Sequence, residues 1–448
     1  MRLSEWRPAL ILLCAADVLV TLDGTIVTVA LPAIERDLGT AQADLQWVVT
    51  AYTLTLGAFL LVGGRAGDLF GRRRILVVGL VVFALASGVA GLAHTTALLL
   101  SARAVQGLGA ALAVPAALAL LTATYRRERQ RQRALGYLSA AMDLGMVAGL
   151  VLGGVLTATV GWPWCFFIVV PVGLLAAALA PTTLQESRDD DAPRLDVLGA
   201  ILVATGFGTL ALGISRAEQL GVAVVPVIAA AVALLGGFVV LERRTPAPML
   251  RPAIFRHRAL TGSNLALIAN AGGFGGMMFL ATLYLQQVLG FSALETGLAF
   301  VPLALSACAG GLAAPRIVAA AGPRRAAALS MVTSAAAFVL LSRTPEVDGY
   351  LTHLLPAFTI AGFSFAAAFV PLTSHGMSGV RDGERGLASG LLQTSTHLGG
   401  AIVLTALATT ATSAAAFTAG SSTAFLIGAT LLTLGALTAI RTLPRTDG

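Results

Sequence analysis

Residues Ala9–Leu31, ALILLCAADVLVTLDGTIVTVAL, decide the fold class. The run is long enough to cross a bilayer, whose hydrocarbon core is about 30 Å thick and takes ~20 helical residues. It also carries two acids, Asp17 and Asp23. An acid at the centre of a membrane helix costs roughly 2.5–3.5 kcal/mol on insertion scales. Chains that keep one generally use it to move protons, ions or substrate. The preceding MRLSEWR is basic, but the apolar run exceeds a signal-peptide core and holds both acids, so it reads as a retained helix.

Composition extends this reading to the rest of the chain. Of 448 residues, 57% are hydrophobic and 11% charged, with mean hydropathy +0.86. Soluble domains carry roughly 25% charged residues. The chain is therefore an all-α polytopic membrane protein with little soluble mass. A net charge of +7 is a balance that nucleic-acid binders also show. Here the positive charges are all arginine and sit in short loops between apolar runs, which is membrane topology and argues against a nucleic-acid partner. Cys14, Cys165 and Cys308 lie in or beside apolar segments, with neither a disulfide framework nor a metal spacing. No phosphate-binding loop or nucleophile–base constellation is present, so neither an enzyme nor an ATP-driven transporter is expected.

Fourteen apolar spans, each bounded by Gly, Pro or charge, fall near 9–31, 46–63, 75–93, 97–123, 134–157, 164–184, 197–214, 222–241, 260–282, 294–314, 326–341, 350–372, 386–412 and 421–440. With the N-terminus inside, Arg36, Arg216 and Arg343 fall outside and Arg103 falls within a span; every other arginine is cytoplasmic. That is a strong positive-inside bias, and it places both termini in the cytoplasm. Charged stretches at Glu186–Asp196 and Glu242–Arg258 flank spans 7 and 8. Removing that hairpin leaves an N-terminal six-helix bundle (1–184) and a C-terminal one (259–448), joined by a linker (185–258) with two extra helices. Such halves are related by an axis along the membrane normal. GRAGDLFGRRR (Gly64–Arg74) is echoed by GLAAPRIVAAAGPRR (Gly311–Arg325) at the corresponding loop of the second half.

Several stretches carry a resemblance: LDGTIVTVALP (Leu22–Pro32), GRAGDLFGRRR, LSARAVQGLGAA (Leu100–Ala111), WPWCFFIVVPVG (Trp162–Gly173), YLQQVLGFSALETGLAFVP (Tyr284–Pro302) and GLASGLLQTSTHLGG (Gly386–Gly400). Through them the chain resembles the major facilitator superfamily, in its fourteen-helix drug:proton antiporter branch. The resemblance implies two six-helix bundles plus two linker helices. It also implies proton-coupled export of lipophilic or cationic small molecules across the cytoplasmic membrane by alternating access. A dedicated exporter of one endogenous metabolite or self-made antibiotic, and a proton-coupled lipid or envelope-precursor flippase, fit the same motifs. The expected partners are a small-molecule substrate and the lipid bilayer, with the chain acting as a monomer. The proton is the coupling ion, and neither a cofactor nor a metal is expected.

The motifs distribute roles. Asp23 and Arg103 are implied in proton coupling; helix rise of 1.5 Å per residue puts them within ~3 Å in depth, and a purely structural ion pair is the alternative. Gly64, Asp68, Gly71, Arg72 and Arg73 match the loop that latches the outward-open state in the family. There Gly64 would permit close helix approach and Gly71 a tight turn. Asp68 would engage a helix N-terminus of the other bundle, and Arg72 and Arg73 would hold the headgroups. Leu69 stands where an arginine is usual. Gly145, Gly149, Gly153 and Gly154 match the antiporter signature of span 5, although Leu150 replaces its proline; plain small-residue packing reads equally well. Pro163 and Val169 also depart from the branch's pattern.

Two acids lie outside the motifs. Asp17, Thr21, Gly24 and Thr28 share one face of the first helix, with Asp23 about 120° away from Asp17. Asp143 in span 5 lies at a similar depth to Asp17. Two close carboxylates can share one proton, attract a cationic substrate, or simply line a wet vestibule. Gln106, Asn270, Gln393 and His397, with Thr21 and Thr28, are weaker candidates for a substrate cavity. Which acid, Asp23 or the Asp17/Asp143 pair, carries the transported proton is left open by the sequence.

Overall fold

The first apolar run is part of one helix, α1, over Trp6–Leu38, continuing through Pro32. The computed structural model describes residues 6–125, 128–188, 197–245, 252–345, 349–378, 380, 385–414 and 416–443. After α1 come α2 (Gln42–Leu45), α3 (Trp47–Phe70), α4 (Arg72–Gly91), α5 (Thr96–Thr124), α6 (Glu128–Thr159), α7 (Pro163–Phe167), α8 (Val169–Thr183) and α9 (Val197–Ser215). Then follow α10 (Ala217–Leu220), α11 (Val224–Arg244), α12 (Arg258–Leu283), α13 (Ala293–Ala299), α14 (Val301–Ala321), α15 (Pro323–Leu341), α16 (Leu355–Gly376), α17 (Arg385–Thr412) and α18 (Phe417–Thr442). There is no strand among the described residues.

Thirteen described helical segments are long and apolar enough to cross a membrane. The fifth expected span lies in α6, whose described apolar run is Leu144–Thr159. Two expected spans each carry a one-residue irregularity: the sixth at Ile168 between α7 and α8, whose amide still donates to the Trp164 carbonyl, and the tenth at Phe300 between α13 and α14, with both residues in right-handed helical conformation. The ninth and twelfth carry wide π-helical turns, at Tyr284–Val288 and Tyr350–Leu354.

Contacts divide the chain into two compact units, one of residues 1–40, 47–200 and 292–298, the other of 41–46, 201–291 and 299–448. In the first, α5 is the hub on which α3 and α4 pack. Lipid tails are as apolar as leucine, so close backbone approach at small residues drives such packing. A Cβ on Gly79 would lie 2.6 Å from the Ala113 amide nitrogen, and one on Gly109 2.5 Å from that of Phe83. The close approach of α3 falls at Gly63, against the Ala111 carbonyl; a Cβ on Gly64 would meet only Pro115, at 3.7 Å. The expectation for Gly64 is thus displaced by one residue.

The span 5 glycines form a ridge on α6. Gly145 faces Val18, Gly149 faces Leu22 and Thr25, and Gly153 faces Ile26, so α6 runs alongside α1 in the same direction. Gly154 turns elsewhere, toward Ala293 and Leu294, and a Cβ on Gly297 would lie 2.5 Å from the Leu150 carbonyl oxygen. In the second unit, α12 and α17 also run in parallel, with Gly272 against Val403 and Gly276 against Leu407. Its core holds a chain of edge-on rings: Phe274–Phe365 at 5.4 Å, Phe365–Phe338 at 6.0 Å and Phe338–Phe425 at 5.7 Å. The echo between halves is structural too, since Gly71 (φ +103°) and Gly322 (φ +76°) each turn the chain into the next helix in a conformation that suits glycine.

Candidate functional site

Inside the first unit, α1, α3, α4 and α5 meet around a fully buried ion pair. Arg103 Nη1 lies 2.5 Å from Asp23 Oδ2, and both side chains are completely enclosed. The same Nη1 donates to Gln106 Oε1 at 2.7 Å, and Arg103 Nε donates to the Val48 carbonyl at 2.8 Å. Gln106 Nε2 donates to Asp23 Oδ1 at 2.7 Å and to Ser87 Oγ at 3.2 Å. Ser87 in turn donates to the Phe166 carbonyl at 3.0 Å, next to the irregularity between α7 and α8. The Tyr52 ring centre lies 4.3 Å from the guanidinium carbon, a cation–π distance. Both Asp23 oxygens are thereby occupied.

Sequence reading supplied Asp23, Arg103 and Gln106. It missed Ser87, Tyr52 and the Val48 carbonyl. Ser87 and Tyr52 were visible as polar groups in spans 3 and 2; no sequence signal marks a backbone carbonyl.

Asp17 lies elsewhere on α1 and is 4% exposed. The Thr21 hydroxyl donates to the Asp17 backbone carbonyl, not to its carboxylate, and Thr28 bonds back to Gly24 in the same way. No hydrogen bond or ion pair reaches the Asp17 carboxylate among the described residues. Asp143 stands on α6, and its side chain lies outside the described residues. In the second unit, Asn270 Nδ2 donates to the Phe365 carbonyl at 3.3 Å, while its Oδ1 is buried without a described partner. Gln393 and His397 are half-buried on α17, with no hydrogen bond to either side chain among the described residues. These three lie in the other unit from Thr21, Thr28 and Gln106.

The loop between α3 and α4 is tied internally. Asp68 Oδ1 accepts from Arg72 Nη2 at 2.9 Å and Nε at 3.1 Å. Arg73 was expected to reach for headgroups. Instead its Nη1 donates to the carbonyls of Pro181 and Leu184 at the end of α8, at 3.2 and 3.1 Å. A cation there meets the negative end of the helix. Arg72 likewise binds Ser187, through its backbone amide and Nη1, at 2.9 and 3.1 Å. Glu186 caps the start of α4, accepting from the Arg73 amide at 3.0 Å. Replacing Glu186 by Gln is therefore expected to lower stability only slightly, by about 0.3–1 kcal/mol at this half-exposed helix start. A thermal melt in detergent at two salt concentrations checks it, with the difference shrinking at the higher.

Residues 13–404 match the family model described as Major Facilitator Superfamily. The puromycin resistance protein pur8 of Streptomyces alboniger is 38% identical, covering 91% of this chain and 82% of its own length. The cephamycin export protein CmcT of Amycolatopsis lactamdurans is 36% identical, covering 91% and 85%. The solved structure of a D-xylose-proton symporter superposes with a TM-score of 0.70 at 14% identity, covering 98% of each chain. At that identity the likeness concerns the fold alone. The chain belongs to the Major Facilitator Superfamily and is a multi-pass membrane transporter of a small molecule, not an enzyme.

Proposed function

We propose that the chain exports lipophilic or cationic small molecules across the cytoplasmic membrane by alternating access, driven by protons moving inward. It would act as a monomer with both termini in the cytoplasm. The observation that carries the reading is the pair of acids on α1, Asp23 and Asp17, each buried, one paired with Arg103 and one without a described partner. Keeping two carboxylates within a membrane helix is costly and is most readily understood as proton work. The relatives support the cargo, being named for resistance to or export of antibiotics. A unit charge crossing the membrane gains about 2.3 kcal/mol per 100 mV, so an inward proton can drive an outward substrate. A ligand shifts a conformational equilibrium only through different affinity for the two states, and a proton that alters a buried acid's partners meets that condition.

Purified protein in liposomes tests this. Substrate movement should accelerate when an inward-directed proton gradient is imposed, and movement independent of both gradient and potential would overturn the coupling. A second reading is favoured by the relatives named for single compounds, puromycin, cephamycin and tetracenomycin C: a dedicated exporter of one antibiotic. A substrate panel separates the two, since a dedicated exporter responds to one chemical series only.

A further inference from the structure

We propose that Asp17, not Asp23, is the group that trades its proton for the cationic centre of a substrate, while Asp23 stays bound to Arg103 as a fixed structural pair. The inference rests on the proposed proton-coupled export.

The two acids differ in what holds them. Asp23 has each oxygen on a donor, Arg103 Nη1 at 2.5 Å and Gln106 Nε2 at 2.7 Å. A proton there would leave the fully enclosed Arg103 without its counter-charge, facing only the Val48 carbonyl and Gln106 Oε1. The pair resists losing either charge. Asp17 is nearly as buried, at 4% exposure, yet no donor or cation reaches its carboxylate among the described residues. Its oxygens are not among the sealed side-chain atoms, so a proton or a cation can reach them, and Asp17 can exchange one for the other with no protein bond broken.

Asp17, Thr21, Gly24 and Thr28 form one face of α1, and that face is open two turns beyond Asp17, where a methyl placed on Gly24 would meet no atom within 4 Å. Asp23, by contrast, is sealed at 0% exposure. Among the described residues, no charged group on the elements packed against α1 makes a hydrogen bond or ion pair with Asp17. Tyr52, Arg65 and Asp68 lie on α3; Arg103 lies on α5, with Tyr125 at its end; Cys165 lies on α7; α8 has none. Tyr52 and Arg103 are spent on the Asp23 pair, and Asp68 on Arg72. Cys14, one turn earlier on α1, is the described titratable group that interacts electrostatically with Asp17. On α6 the register Val18–Gly145, Leu22–Gly149 and Ile26–Gly153 sets residue 143 level with residue 16. Asp143 thus stands at the height of Asp17. Arg131 and Arg133 lie more than two turns nearer the start of α6 than Asp143.

The exchange balances. A cation arriving from the cytoplasm pairs with the carboxylate as the Asp17 O–H bond breaks, and the proton leaves to cytoplasmic water. On the outer side the cation departs and a proton from outside re-forms the O–H bond. One proton enters for one monovalent cation exported, so for a cationic substrate the exchange moves no net charge and draws on the pH gradient alone.

Two measurements on the full chain test this, with ethidium as probe. In liposomes, wild type should accelerate ethidium transport when a proton gradient is imposed. Asp17→Asn should lose at least tenfold of that acceleration with its melting temperature unchanged, and Asp17→Glu should restore most of it. A wild type that responds and an Asp17→Asn that responds within twofold of it would overturn the assignment while leaving coupled export intact. A wild type that ignores the gradient overturns both. The second measurement needs no variant. A membrane-permeant carbodiimide, which attacks protonated carboxyls, is added to wild type and the adduct located by fragmentation mass spectrometry. Labelling at Asp17, slowed by ethidium, supports the assignment; labelling at Asp23, or none at Asp17, overturns it.

Discussion

Replacing Arg103 by Met is expected to destabilise the protein by about 3–5 kcal/mol, the range for leaving one partner of a buried pair uncompensated. Asp23 would keep one donor, Gln106 Nε2, and lose the cation that neutralises it. The double variant Asp23→Asn/Arg103→Met should recover much of the loss, because replacing both members of a buried pair is often nearly neutral. Asn can still accept from Gln106. Thermal unfolding of the three variants in detergent reads the coupling. A double variant no more stable than the sum of its single changes would show that the pair is not a unit. Gradient-driven export by Arg103→Met should fall at least tenfold, since α1, α3, α4 and α5 all converge on this network.

Gly149→Ala and Gly153→Ala are also expected to be damaging. A Cβ on Gly149 would sit 2.7 Å from the Leu22 carbonyl oxygen, and one on Gly153 2.6 Å from that of Ile26. Real Cβ atoms do not approach backbone so closely, so α1 must shift. Overpacking of this kind costs typically ~1–3 kcal/mol each. Gly145→Ala should be milder, because its nearest neighbour is the Val18 side chain at 3.1 Å rather than backbone. Melting temperatures in the order wild type, Gly145→Ala, then the other two would agree with the ridge. Equal losses at all three would refute it.

The spans were legible because a bilayer imposes length and apolarity on each. What the sequence hid was where helices depart from the regular pattern. The irregularity at Ile168 lies within apolar text that reads the same as a regular helix, and the π turn at Tyr284 carries the ninth span into a stretch read as loop. The Asp23–Arg103 pair was legible because depth along a helix is arithmetic, and matching depths bring opposite charges within reach. Ser87 was not, since one hydroxyl in a span says nothing of its neighbour. Arg73 was misjudged for a related reason. Basic loops do face headgroups, but here the Arg73 guanidinium is bonded to carbonyls at the end of α8, and only the fold reveals that.

The helix containing Leu150 has a mechanical meaning. With leucine where the branch's signature has proline, α6 runs unbroken for 32 residues, about 48 Å at 1.5 Å per residue. Clamped to α1 along three glycines, it has no proline joint of its own over that contact. Among the described residues the helices depart from the regular pattern instead at Ile168 and Phe300, in the two π turns and at the prolines inside helices, and bending is easier there than along α6.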